Sequence, residues 1–272
     1  MTSADSNPLI GQLPFLGVTT WRLLVNAPLS GAANMAIDEV LMHRAAESGE
    51  GVFRIYHWNQ PTLSLGRHQR AREAFDPQRA DSLGVHLVRR MTGGRALLHW
   101  HEVTYSVTAP IGGEPLHESY AAINALLLDA LGVLGVDAQI APRSGRMPPP
   151  GSAPCFELPA EGEILVGAHK LVGSAQLRDS RSMLQHGSVL IADDQALVGR
   201  VSPKPVTLVA PAATLAQALG RVPTFEEVAA ALQHAFVHRL QAPPASLEMD
   251  AIASAVEPLI AKYDSDSWNW SR

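Results

Sequence analysis

Apolar residues in this chain change their period along its length, and the changes mark out its elements. Trp21 to Val25 reads as a first strand, following a loosely ordered leader that runs to about Thr19. Ala33, Ala36, Ile37, Val40 and Leu41 then recur at helical spacing, which sets Asn34 and Asp38 near one another on a different face of that helix. A β-rich middle follows, in which Val52–Tyr56 and Thr62–Leu65 read as strands separated by Asn59-Gln60-Pro61 and closed by Gly66. Val85 to Arg90 and Val103 to Thr108 add two more, with Gly93-Gly94 marking a tight connection between them. Ser119 is expected to cap an amphipathic helix carrying Tyr120, Ile123, Leu127 and Ala130, and Arg143 to Pro154, dense in proline and glycine, to form a mobile loop. Ile164–Val166 and Met183–Ile191 read as strands flanking a lysine-bearing run, an arrangement that would put Cys155 and Lys170 on the loop ends of adjacent strands. Thr224 with Glu227 forms a capping-box signature ahead of Val228, Ala231, Leu232, Ala235 and Phe236. The tail from Ser246 predicts one more helix, interrupted near Pro258, and ends in Trp268 and Trp270. Strands and helices do not alternate regularly, and the strands cluster in the middle. That order predicts an α+β architecture, a mixed, largely antiparallel sheet packed with helices.

Composition narrows the classes of function. With 272 residues, 46% of them hydrophobic, the chain can bury a sizeable core. A net charge of -5 supplies no global positive field to hold a nucleic acid or an anionic membrane, so any anionic partner must meet a local basic patch. A single cysteine excludes an internal disulfide and cysteine-rich zinc sites. Pro8, Gly11, Gln12, Pro14 and Gly17 interrupt the first apolar stretch, which argues against a secretory signal, and the stretch from Tyr120 to Val136 is too short and amphipathic to span a bilayer. A cytoplasmic protein is expected.

The chemistry begins with that one cysteine. Cys155 lies fifteen residues ahead of Lys170, which opens the run Lys170-Leu171-Val172-Gly173-Ser174-Ala175-Gln176. A thiolate is a strong nucleophile and a nearby ammonium promotes its ionisation, so the pair suggests acyl transfer; a lone cysteine is equally read as a small buried residue, and Lys170 as a solvated one. In Arg89-Arg90-Met91-Thr92-Gly93-Gly94-Arg95-Ala96-Leu97-Leu98-His99, two glycines permit close backbone approach to a ligand and three arginines supply forked donors; the competing reading is an ordinary turn. His99, His101 and Glu102 are better read as hydrogen-bonded residues than as metal ligands, and His186 is either a general base or a satisfied core histidine. Asp38 is assigned to capping, and Trp268 and Trp270 to core packing.

Taken together, these residues resemble the lipoate and biotin protein ligase superfamily, and within it the cysteine-dependent octanoyltransferases of the LipM type. The resemblance is carried by Asn34-Met35-Ala36-Ile37-Asp38, by Pro61 to Gly66 and on through Gln69, by Arg89 to His99 with Glu102 to Ser106, by Cys155-Phe156-Glu157, and by Lys170 to Gln176 with Gln185-His186-Gly187-Ser188. Arg95 occupies the position where ATP-using lipoate ligases carry a third glycine, and Trp100 departs from the aspartate common after the histidine. The resemblance implies a class II synthetase-like catalytic domain over 21–245, after a leader over 1–20 and before a helical, tryptophan-containing extension over 246–272 packed on it. It implies that Cys155 takes an octanoyl group from acyl carrier protein as a thioester and passes it to a lysine of a lipoyl domain, such as glycine cleavage H protein or a 2-oxoacid dehydrogenase E2 subunit. Lys170 would favour the thiolate, and neither ATP nor a metal is required. Arg89, Arg90, Thr92, Gly93, Gly94, Arg95, His99, Gly173, Ser174, Ala175, His186 and Gly187 would surround the acyl chain and its entrance. Three alternatives stay open: an ATP-dependent lipoate ligase in which Cys155 is incidental, a cysteine-dependent lipoyl amidotransferase, and a non-catalytic acyl-binding homologue.

Overall fold

The computed structural model describes residues 18–142, 162–203 and 211–272. In chain order the elements are β1 (Thr20–Val25), α1 (Gly31–Ser48), β2 (Glu50–Tyr56), β3 (Thr62–Leu65), α2 (Ala71–Ala74), α3 (Pro77–Ser82), β4 (His86–Arg89), β5 (Leu97–His99), β6 (Glu102–Pro110) and α4 (Leu116–Val133). After these come β7 (Gln139–Ile140), β8 (Ile164–Val166), β9 (His169–Arg178), β10 (Ser182–Leu190), α5 (Ala196–Val201), α6 (Leu215–Leu219), α7 (Phe225–Leu240), β11 (Ala245–Ser246), α8 (Ala253–Tyr263) and α9 (Asp266–Asn269). Eight strands form the main sheet in the order β11-β1-β2-β6-β10-β9-β8-β7. β1 runs parallel to both β11 and β2, and every other pairing in it is antiparallel. The expected mixed, largely antiparallel sheet is therefore present, together with a second, three-stranded sheet of order β4-β3-β5.

Alternation along β2 shows how the layers form. Phe53 and Ile55 point into a core shared with α4 and α7, where Phe53 meets Phe236 at 4.8 Å between ring centroids. Val52 and Tyr56 face the opposite way, into a core built with α1 and α8. Both faces are covered, so the strand reads as an apolar run rather than an alternation. α2, α3 and α5 close a third core over the small sheet.

Local sequence explains most boundaries. Ser30 caps α1 by accepting from the Ala33 N–H, and the capping box of Thr224 and Glu227 opens α7 as the sequence predicts. Three expectations are corrected. Ser119 does not cap its helix: α4 starts at Leu116 after Pro115, whose fixed φ suits the position, and Ser119 turns its hydroxyl back to the Leu116 carbonyl. Pro258 does not interrupt α8, because the carbonyl it leaves without an N–H partner is that of Ser254, an exposed residue that water can reach. Lys170 is not on a loop end; it lies inside β9, since the run from His169 to Arg178 pairs with β10 through Gly173 and Ser174. The leader up to residue 17 and the segment 143–161, Cys155 included, lie outside the described residues.

Candidate functional site

Asp38 stands in the interior of α1, far from its cap, and its side chain is 1% exposed. Its Oδ1 accepts from Arg54 Nη1 and from Ser106 Oγ, each at 2.8 Å, while Oδ2 accepts from Tyr56 Oη at 3.0 Å. The capping assignment is thus overturned: Ser30 does that work, and Asp38 is the centre of a buried polar network. Arg54 reaches Asn26 Oδ1, Asn34 Oδ1 and the Asn34 carbonyl with its remaining donors. Burial by itself disfavours the Asp38 carboxylate, yet the Arg54 guanidinium and the hydrogen bond from His186 outweigh it and hold the group below its ordinary value. His186 continues the chain from its Nδ1, 3.1 Å from Asp38 Oδ2, to its Nε2, 2.7 Å from Thr92 Oγ1. One imidazole thus ties α1 to the glycine loop after β4.

That network forms the inner wall of a narrow cleft that is open on one side. The lining comes from Met35 of α1, Tyr56 and Trp58 around the end of β2, Ser64 of β3, Arg90 and Gly94 of the loop, Leu97 and His99 of β5, Thr104 of β6, Gly173, Ser174 and Ala175 of β9, and His186 and Gly187 of β10. Apolar surface dominates, with a few convergent polar groups, the usual make-up of a pocket for an apolar ligand. His99 is stacked on Trp58 with centroids 4.1 Å apart and its Nε2 is 2.8 Å from Ser64 Oγ. Burial lowers its pKa, with Glu102 opposing, so the imidazole is held toward the neutral form. His101 pairs instead with Asp194 at an exposed position, and Glu102 accepts from Thr104 and Ser188. Among the described residues no group of three or more His, Cys, Asp and Glu is arranged to hold a metal ion.

Of the site residues expected from sequence, the structure brings Arg90, Gly94, His99, Gly173, Ser174, Ala175, His186 and Gly187 to the cleft. Thr92 stands behind it, bonded to His186. Gly93, Arg95 and Trp100 are not among its lining residues, and neither is Arg89, which is completely buried and bonded to backbone carbonyls. Lys170 does not line the described cleft either; it is 2% exposed, and its Nζ meets Glu163 Oε1 at 2.5 Å. Cys155 belongs to the segment outside the described residues. Asp38, Arg54, Tyr56 and Trp58 were not anticipated here. An arginine in the middle of the apolar run Val52–Tyr56 was the one signal for them, since a buried guanidinium requires partners.

Close backbone contact fixes the loop. A Cβ on Gly66 would sit 1.9 Å from the Gly94 carbonyl oxygen, and one on Gly187 would lie 2.6 Å from the Gly173 oxygen. Backbone atoms cannot swing aside as a side chain can. Gly66→Ala is therefore expected to cost about 1–3 kcal/mol and to push Gly94 from the cleft wall. Thermal denaturation checks this, and a melting temperature equal to that of wild type would show that the loop yields.

Comparison with known proteins agrees with this geometry. The model of the lipoyl protein ligase A/B catalytic domain matches residues 30–237. Octanoyltransferase LipM of Kyrpidia tusciae is 39% identical over 274 residues, covering 93% of this chain and 99% of that protein. The LipM of Carboxydothermus hydrogenoformans is 44% identical over 187 residues, 67% of this chain and 69% of its own. Among solved structures, lipoate-protein ligase A bound with ATP superposes with a TM-score of 0.78 at 22% identity, covering 92% of this chain and 98% of that one, a likeness of fold. The chain, by the family match and by relatives matched along nearly their whole length, belongs to the lipoyl protein ligase A/B catalytic-domain family.

Proposed function

We propose that this enzyme takes an octanoyl group from acyl carrier protein onto Cys155 as a thioester and delivers it to a lysine of a lipoyl domain. Octanoyl transfer in protein lipoylation is its activity, as the relatives that match it along nearly their whole length indicate. The observation that carries the reading is the cleft itself. Its walls are mostly apolar, and glycines of three segments bare the backbone along it. In the first step the Cys155 thiolate adds to the thioester carbonyl, and the carrier's thiolate leaves and takes up a proton. In the second, the neutral lysine amine adds to the enzyme thioester and expels the Cys155 thiolate, and the nitrogen gives up its extra proton to that thiolate or to water, leaving an amide. One thioester replaces another in the first step and an amide replaces a thioester in the second, so the sequence runs downhill without ATP.

Arg90, Gly94, His99, Gly173, Ser174, Ala175, His186 and Gly187 surround the acyl chain in this reading; Thr92, Gly93 and Arg95 shape the loop at its edge. Residues 21–245 act as the catalytic unit, with 246–272 as an extension, a division supported by the family match over 30–237. No helix among the described residues is long and apolar enough to cross a membrane, and a working free thiol suits the reducing cytoplasm, where we place the reaction. Incubation with octanoyl acyl carrier protein is expected to leave an octanoyl adduct on Cys155, detected by mass spectrometry, while a parallel incubation with ATP and free lipoate yields no pyrophosphate. Transfer to a lipoyl domain that persists in Cys155→Ala would overturn the thioester route.

A further inference from the structure

The carboxyl-terminal turn of this chain bonds to Arg89, the last residue of β4 before the glycine loop, although neither touches the cleft. Arg89 is 0% exposed and has no carboxylate partner among the described residues. Its Nη1 donates to the carbonyls of Gly66 at 2.6 Å and Gln69 at 2.9 Å, and its Nε to the Asn269 carbonyl at 3.0 Å. Asn269 Oδ1 accepts from the Arg89 backbone N–H at 2.7 Å, and Trp268 Nε1 donates to the Arg89 carbonyl, also at 2.7 Å. Two cations meet the Trp268 indole, Arg67 at 4.1 Å and Lys262 at 4.2 Å from its ring. From the Gly66–Gln69 turn the connection passes inward: Arg67 N–H donates to the Thr92 carbonyl at 2.8 Å, Gly66 packs on Gly94, and Thr92 holds His186.

A guanidinium stripped of water and left without a counter-ion is costly, and here its acceptors are carbonyls of two separate turns. Burial and the neighbouring Arg67 and Arg272 lower the Arg89 pKa, which reflects the same lack of compensation. A hydrophobic residue of similar size would fill the space at less cost, but it would hold neither turn in register. The fork geometry does both, and a lysine would not reproduce it.

From this we infer that Arg89 is a positioning residue rather than a substrate contact, and that Trp268 and Asn269 of the carboxyl-terminal turn set the placement of the Thr92–Gly94 loop against the acyl chain through it. The inference rests on the reading above that the cleft receives that chain. Its test separates touching the donor from arranging the loop. Two octanoyl donors are compared, octanoyl acyl carrier protein and octanoyl-N-acetylcysteamine, which lacks both the protein and the phosphate.

Asn269→Ala and Trp268→Phe are expected to lower kcat/KM on both donors by the same factor, about tenfold or more for a displaced loop. Asn269→Asp, which keeps the acceptor for the Arg89 N–H, is expected to retain most of the activity. Hydrogen exchange read on peptides covering 66–70 and 90–96 should quicken in the first two variants and stay unchanged over α7. Loss confined to the carrier-protein donor would instead make this turn a donor contact. Unaltered exchange over 90–96, or exchange raised equally throughout the molecule, would likewise overturn the inference. If wild type uses neither donor, the proposed function fails by itself, and exchange still reads the loop.

Discussion

Arg54→Met is expected to destabilise the fold by about 3–5 kcal/mol, measured as a shift of the urea midpoint at neutral pH. The side chain is 0% exposed and Asp38 is 1% exposed, so neither charge is relieved by water. Methionine fills much of the volume but leaves the Asp38 carboxylate among Tyr56, Ser106 and His186 without the cation that offsets its burial. Removing both charges at once costs less than removing one, and the double variant Asp38→Asn with Arg54→Met should recover part of the loss. A loss below about 1 kcal/mol in the single variant would show that the pair contributes little.

The pH dependence gives the same network a second reading. Asp38 ionises in the folded protein below its ordinary value of 3.8. The unfolded chain therefore binds the proton first as pH falls. The stabilisation is complete above about pH 4 and is lost as pH drops through the lowered folded value. In Arg54→Met the largest of the forces that lower the group is gone, while burial and the bond from His186 remain, so this contribution to the acid slope should shrink or reverse. Denaturation midpoints at pH 7 and at about pH 3.5 distinguish the two chains.

Much of the framework was legible because it is local. Thr62–Leu65 is bounded by a proline before and Gly66 after, and the structure gives the same four residues. The capping box at Thr224 needs only residues three apart. What stayed hidden depends on distant chain segments meeting. Arg54 declares a need for partners, but the sequence does not say that they sit on α1 and just after β1. Asp38 looks like a polar residue on one face of a helix, and becomes central only because β2, β6 and β10 all present donors to it. The arginines at the end of β4 illustrate the opposite error. Their donors suited an anionic ligand, yet Arg89 and Arg90 spend them on carbonyls of Gly66, Gln69, Ser64, Gly93 and Arg95. A tight turn exposes carbonyl oxygens as well as amides, and composition does not tell which of them a guanidinium will meet. The small sheet was missed in part because β5 is only three residues long, too short for a period to emerge.

Lys170→Met is expected to lower octanoyl transfer by about 10²–10³-fold, the usual effect of deleting one group that stabilises developing negative charge. Lys170 sits in β9, three residues before Gly173 and the cleft wall, and is buried enough that water screens its charge weakly. In the proposed reaction the same ammonium favours the Cys155 thiolate. A free thiol with a pKa of about 8.5 is only a few per cent ionised at neutral pH, and each unit of depression adds about 1.4 kcal/mol of preference for the thiolate. Iodoacetamide labelling of Cys155, followed as a function of pH, should therefore titrate at higher pH in Lys170→Met than in wild type. Glu163→Gln supplies the control in the opposite direction. It removes the carboxylate bonded to Nζ while leaving the ammonium, so the Cys155 titration should stay near wild type or move to lower pH. If both variants fold, as circular dichroism would verify, and both label as wild type does, Lys170 has no part in activating the thiol, and its burial beside Glu163 serves the packing of β9 against β8.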